Sequence, residues 1–393
     1  MIKKDRYRGL FLKTFILTLI LFLTGCVSLH QKNDIPVVDD EVEEIHQLIL
    51  KKKKAVLEND LNGFLDMCDA SDRVFSCEQQ RWFKYYQSST ACDYDLKITD
   101  IAKRAPHTYV ASITQSYRLG SEKTYKNSFF NEKFIHTQNG WKDADLEFQT
   151  VVETENFIIK AVMGVHRDLV DEIGKAAEAA HDKIKAAYGE GMDGKTVLKL
   201  YDDRNVIRDL TRIGGMESFS GYYMYPGSIK LLIKDNMEWI KDHTLAHEFV
   251  HKIVATQFPD TPVPSWFFEG LAEYFGVYCI QEKTDIEKGW IHRKDIAKSL
   301  NWIKEQKLSQ FKDYRDVNRF YSMAGMIVKH IEEAYGKGTN KAILEASKRI
   351  ARDSKCHQRA GSSQDCLDQA MEEVLQADMD AIDKKWMAWM ENY

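Results

Sequence analysis

Two short segments constrain the fold of this chain more than any other. The first, HTLAHEFVHKIVATQF (243–258), carries apolar side chains at Leu245, Ala246, Phe249, Val250, Ile253 and Val254. That apolar surface is wider than one solvent-facing stripe, so a mostly buried helix is predicted. The second, SWFFEGLAEYFG (265–276), follows a linker, FPDTPVP, that holds three of the chain's six prolines. Pro262 and Pro264 are expected to stop the first helix, and Ser265 to cap the second. Helices joined by so short a connection are placed to face one another.

On the first helix His247 and His251 are one turn apart on one face, so both imidazoles can reach a single metal at about 2.0–2.1 Å. Glu248 projects about 100° around the helix from His247. There it stands off the metal but close enough to take a proton from an attacking water, as a general base must. His243 shares the same face, and spacing alone leaves it open as a ligand. The competing reading of the two histidines is a pair of hydrogen-bonded core side chains.

Taken together, HEFVH and WFFEGLAEY closely resemble the gluzincins, the HExxH metallopeptidases whose third zinc ligand is a glutamate on a following helix. In many of them that glutamate lies in W-x-x-E-G, with the 17 intervening residues found here between His251 and Glu269. The resemblance implies Zn2+ held by His247, His251 and Glu269, with the fourth position open for chemistry. Glu273, one turn beyond, would then orient a ligand histidine through its other ring nitrogen; Glu273 as a ligand in place of Glu269 is the alternative. The segment RFYSMAGMIVKHI (319–331) resembles the gluzincin helix that brings a tyrosine toward the metal. Tyr321 is accordingly the candidate oxyanion donor, with Arg319 and Tyr314 as fallbacks. SIKLLI (228–233) is a candidate edge strand for an extended peptide substrate.

The rest of the chain fits around this centre as an α+β protein. With 393 residues, 44% of them hydrophobic, it is long enough for two to three domains of about 100–200 residues. Apolar residues recur at helical spacing from Glu41 to about Phe83, and short alternating runs follow from about Asp93 to Phe148, with an Asn139-Gly140 turn. Helices followed by an antiparallel meander, closing on Trp141 and Asp143, resemble the NTF2-like cone; an accessory domain is expected at 41–150. A zincin-like metallopeptidase domain is expected over 151–393, with a mixed sheet and a mostly helical C-terminal half. Its first elements read as strand ENFIIKAV, a helix over Asp168–Tyr188, strand VLKLYDD, helix NVIRDLTR, and a hairpin turning at Pro226-Gly227.

Upstream, Lys3, Lys4, Arg6, Arg8 and Lys13 precede an apolar run from Thr14 to Leu23, shorter than the ~20 residues a spanning helix needs. The run ends in Leu23-Thr24-Gly25-Cys26, which resembles a bacterial lipobox. This implies a signal peptide over 1–25, lipidation at Cys26, a tether over 26–40, and an extracytoplasmic protein anchored in the cell envelope. Val27 after the cysteine favours the outer membrane over the inner. An uncleaved anchor over Leu10–Leu29 is the alternative. In that compartment disulfides persist, and Cys356 with Cys366 is the favoured pair.

Composition and motif context exclude other functions. With 55 Lys plus Arg against 60 Asp plus Glu the net charge is −5, which offers no basic excess to nucleic-acid phosphates. Gly189–Thr196 satisfies GxxxxGK[ST], but a helix precedes it and a strand follows, the reverse of a nucleotide-binding loop. The expected function is zinc-dependent hydrolysis of a peptide or protein substrate. The reading from another class is a catalytically silent zinc-binding scaffold whose accessory domain binds a partner.

Overall fold

In chain order the protein opens with three helices, α1 (Asp40–Leu57), α2 (Leu61–Asp66) and α3 (Arg73–Ser88). Asp60 and Asp72 cap α2 and α3 by accepting from the backbone N–H groups of Gly63 and Phe75. A four-stranded antiparallel meander follows: β1 (Ala91–Ala105), β2 (Thr108–Leu119), β3 (Lys126–Thr137) and β4 (Gly140–Leu146). Thr137 pairs with Gly140 across the two-residue loop, where Gly140 takes a φ of 85°, so the Asn-Gly signal lies where the sequence put it. Phe64, Trp82, Phe83, Tyr86 and Tyr94 form a contiguous aromatic cluster between the helices and this sheet. Lys52 is buried with them and pairs with Glu132 and Asp143.

A second, mixed sheet is built from β5 (Thr150–Glu153), β6 (Phe157–Ala161), β7 (Thr196–Tyr201), β8 (Gly221–Tyr223) and β9 (Ile229–Leu232). Between these strands run α4 (Arg167–Tyr188) and α5 (Arg204–Thr211). The spatial order is β5-β6-β7-β9-β8, with β6, β7 and β9 parallel and the two outer strands antiparallel to their neighbours. The inner strands are apolar almost throughout, as strands covered on both faces must be. The strand within SIKLLI is therefore an inner strand. β8, the first arm of the hairpin expected at Pro226-Gly227, is the edge on that side, because β9 joins β7 in a parallel pairing that no local pattern encodes.

Among the described residues, every regular element after the second sheet is helical. α6 (Met237–Trp239) continues through a π-helical segment, Ile240–Thr244, into α7 (Leu245–Gln257). α8 (Ser265–Leu271) likewise passes through a π-helical segment, Ala272–Tyr278, into α9 (Cys279–Gln281). Then come α10 (Arg293–Ile296), α11 (Leu300–Glu305), α12 (Tyr314–Tyr335), α13 (Thr339–Ser354), α14 (Ser362–Leu375) and α15 (Met379–Asn392). The protein is α+β, as its sequence predicts. α7 ends at Gln257, earlier than Pro262 and Pro264 require, because Phe258 precedes Pro259 and is pushed out of the helical region. Ser265 is the first residue of α8 and not its cap; Pro264 holds the cap position and no side chain accepts there.

This computed structural model describes residues 40–213, 220–233, 237–311, 313–354 and 362–393. Glu44–Tyr393 form one compact unit, which contains both sheets. No helix among the described residues is long and apolar enough to cross a membrane. The signal, the lipidation site Cys26 and Cys356 of the favoured cysteine pair lie outside the described residues; Cys366 is buried on α14. At the GxxxxGK[ST] pattern α4 ends on Gly189, whose φ is 91°, and β7 begins at Thr196. Lys195 there bonds to Glu153 and the Thr154 carbonyl, so the segment is a helix-to-strand turn.

Candidate metal centre

α7 is positioned by its apolar side. Leu245, Ala246, Phe249, Val250, Ile253 and Val254 are all buried in the main core, which leaves the other face to His247, Glu248 and His251. One helical turn brings the two imidazoles to a ring separation of 4.7 Å. α8 supplies the third group: Oε2 of Glu269 stands 3.1 Å from Nε2 of His247 and 3.1 Å from Nε2 of His251. Tight backbone contacts hold this helix in place. A Cβ on Gly276 would lie 2.7 Å from the Ala246 carbonyl oxygen and 2.9 Å from the His247 nitrogen, and one on Gly270 would lie 2.6 Å from the Ala324 carbonyl oxygen. Only glycine allows α8 and its π-helical continuation to nestle between α7 and α12.

The donor set fits a catalytic zinc ion. His247, His251 and Glu269 each offer one ligand atom, all within 4.8 Å of one another. Zinc bonds of about 2.0–2.1 Å imply tetrahedral edges of roughly 3.3 Å, close to the two nitrogen–oxygen separations here. Two nitrogens and one oxygen are also the ligand types of catalytic rather than closed structural sites. Burial raises the Glu269 carboxyl, but the charge of His251 and hydrogen bonds from both imidazoles outweigh it and hold it well below the usual carboxylate range. Around His247 burial acts downward, yet hydrogen bonding to Glu269 and Glu273 raises the imidazole well above its ordinary value. Both directions describe a spot where the field of the part-buried Glu269 and the buried Glu273 favours positive charge.

Glu273 takes the orienting position. Its Oε1 lies 2.9 Å from Nδ1 of His247 and 3.6 Å from Nε2 of His243, and the residue is only 2% exposed. His243 is thus not brought to the cluster of ligand atoms. It stacks on Trp239 at 4.0 Å, and burial lowers its imidazole to about 4. His251 is oriented differently: its ring stacks on Phe268 at 4.2 Å.

Glu248 is nearly buried, and its carboxylate accepts from the Tyr223 backbone N–H of β8. Burial raises it above the ordinary glutamate value, against the pull of His251 and His247. Tyr321, on α12, lies with its ring 5.7 Å from that of His247 and its hydroxyl bonded to Glu269. Burial, then the charges of Glu269, Glu273 and Glu248, push the phenol well above its usual range, so it remains a proton donor. The two fallbacks are engaged elsewhere: Arg319 pairs with Asp316 at 3.1 Å, and Tyr314 is 64% exposed.

The glycine contact yields a direct expectation. Gly276→Ala forces the π-helical segment off α7 and should weaken Zn2+ binding about tenfold or more, measured by competition with a chromophoric chelator. Unchanged affinity would mean that Glu269 does not depend on this close approach. No protein-family model matches the chain, and no curated protein is similar to it.

Proposed function

We propose that this chain is a zinc-dependent peptidase of the gluzincin type, tethered to the bacterial cell envelope by a lipid on Cys26. The observation that carries the reading is the convergence of His247, His251 and Glu269 beside a buried, independently placed Glu248. A purely structural zinc site has no use for a carboxylate held off the ligand cluster with its affinity for protons raised.

In this reading the three ligands hold Zn2+, which when bound supplies Lewis acidity to water and to the scissile carbonyl. Glu248 takes the proton from the attacking water and returns it to the departing amine. The Tyr223 N–H keeps its carboxylate aimed while leaving lone pairs for that exchange. Tyr321, still protonated, donates to the oxygen on which negative charge develops. Glu273 fixes the tautomer and orientation of His247. The outer side of β8, the edge strand next to Glu248, supports an extended substrate lying along it.

The test is a metal titration followed by a cleavage profile. Purified protein should take up one equivalent of Zn2+, unfold at a higher temperature when it is bound, and cut a proteome-derived peptide library in a chelator-sensitive way. Protein that binds the metal tightly and cleaves nothing in the library would favour the silent scaffold.

A further inference from the structure

The β8–β9 hairpin is held between two helices that are far apart in sequence. On one side stand Thr244, the last residue of the π-helical segment, and Glu248 and Lys252 of α7, spaced four residues apart. The Thr244 hydroxyl lies 3.0 Å from that of Ser220, Glu248 accepts from Tyr223, and Lys252 reaches the Gly227 carbonyl at 3.4 Å. A Cβ on Gly221 would lie 2.3 Å from Thr244 and 3.0 Å from Glu248, so the strand lies directly against the helix. On the other side α3 presents Glu78, Arg81 and Tyr85, again on one helical face.

The α3 contacts grip the turn by its backbone. Arg81 donates from Nη1 to the Met224 carbonyl at 2.9 Å and from Nη2 to the Pro226 carbonyl at 2.8 Å. Glu78 accepts from the Ser228 N–H at 2.9 Å and its hydroxyl at 2.6 Å, and pairs with Lys199 of β7 and Lys230 of β9. Tyr85 donates to the Met224 sulfur at 3.1 Å. The guanidinium fork captures two carbonyls two residues apart, which fixes the turn as well as attaching it. A three-residue edge strand has few ladder bonds of its own, so these external bonds decide where it sits.

We propose that α3 is a clamp on the β8–β9 hairpin, and that Arg81 and Glu78 are positioning residues that set the edge strand facing Glu248. The inference rests on the peptidase reading for its consequence and on the contacts alone for its mechanics. It gives the N-terminal helices a task in the same centre: they complete the wall of the active site from behind, and residues 44–150 are not a detachable partner-binding module. Arg81 touches neither substrate nor metal in this account and acts only through the strand.

Arg81→Ala in the full chain tests it, with Arg81→Lys as the conservative control. In Arg81→Ala, amides of 221–232 should exchange about tenfold faster while those of α4 and α7 keep their protection, and Zn2+ affinity should be unmoved. The kcat/KM for peptide cleavage should fall about tenfold, mostly through KM, because the strand adjoins the substrate without reacting. Arg81→Lys, able to keep one carbonyl bond, should recover part of both effects. Unchanged exchange over 221–232 overturns the proposal, as does faster exchange there with unaltered kinetic constants or an acceleration spread evenly over the whole unit. If the wild type has no peptidase activity, the peptidase reading falls and the exchange pattern alone decides the clamp.

Discussion

Replacing Glu248 by glutamine should leave the fold and one bound Zn2+ intact while lowering kcat by about 10²–10⁴. Glutamine has the same volume, and its amide oxygen can still accept from the Tyr223 N–H, so nothing in the packing of α7 against β8 is lost. What disappears is the capacity to take a proton from water and give it to the leaving amine. The His247, His251 and Glu269 cluster keeps its own contacts: Glu269 stands 3.1 Å from both imidazoles and Glu273 stands 2.9 Å from His247, none of them through Glu248. Single-turnover hydrolysis of a peptide identified from the library, with zinc content measured on the same sample, checks the expectation. A variant as active as the wild type would remove Glu248 from the chemistry, and equal inactivity of both would support the scaffold reading.

The cluster of His247, His251 and Glu269 was the most legible part of the sequence because each of its signals is local. Two histidines one turn apart define a face, and the prolines between the two helices set a short connection. Glu269 came from likeness to a known motif and then lay 3.1 Å from both imidazoles. β2 (Thr108–Leu119) falls within the alternating runs expected from about Asp93 to Phe148 for the same reason: a two-residue period needs only its own residues. Strand order was beyond reach, since placing β9 between β7 and β8 depends on a crossover that joins distant residues. The π-helical segments were likewise invisible. A five-residue hydrogen-bond step leaves no composition signature, yet one of them carries His243 and the other Glu273. The clamp does leave a mark in the sequence. Lys199 and Lys230 interrupt otherwise apolar strands, and a lysine in a strand covered on both faces demands a buried anionic partner.

That demand sets the second large effect. Lys199→Met should destabilise the protein by about 3–5 kcal/mol near neutral pH, the usual consequence of removing one member of a buried ion pair. Lys199 is 1% exposed; its ammonium lies 2.7 Å from Glu78 and 2.5 Å from Asp145, with the rings of Phe75 and Phe148 around it. In the variant Glu78 keeps Lys230, whereas Asp145 has no other ion pair among the described residues and is left buried beside the like charge of Glu78. Burial already raises the Asp145 carboxyl above its ordinary value, with Lys199 the largest opposing influence, so loss of the lysine raises it further. A carboxyl raised in the folded state takes up a proton on folding, so its stability contribution is present below the unfolded value of about 4 and is lost as pH rises through the folded value. The deficit of Lys199→Met should therefore shrink as pH falls from 7 toward 5. Adding Asp145→Asn should recover much of it at pH 7, since no unpaired charge is then buried. Denaturant midpoints of the two variants at both pH values give the comparison. A deficit independent of pH, with no recovery in the double variant, would mean that the lysine acts through its hydrocarbon stem in packing and not through its charge.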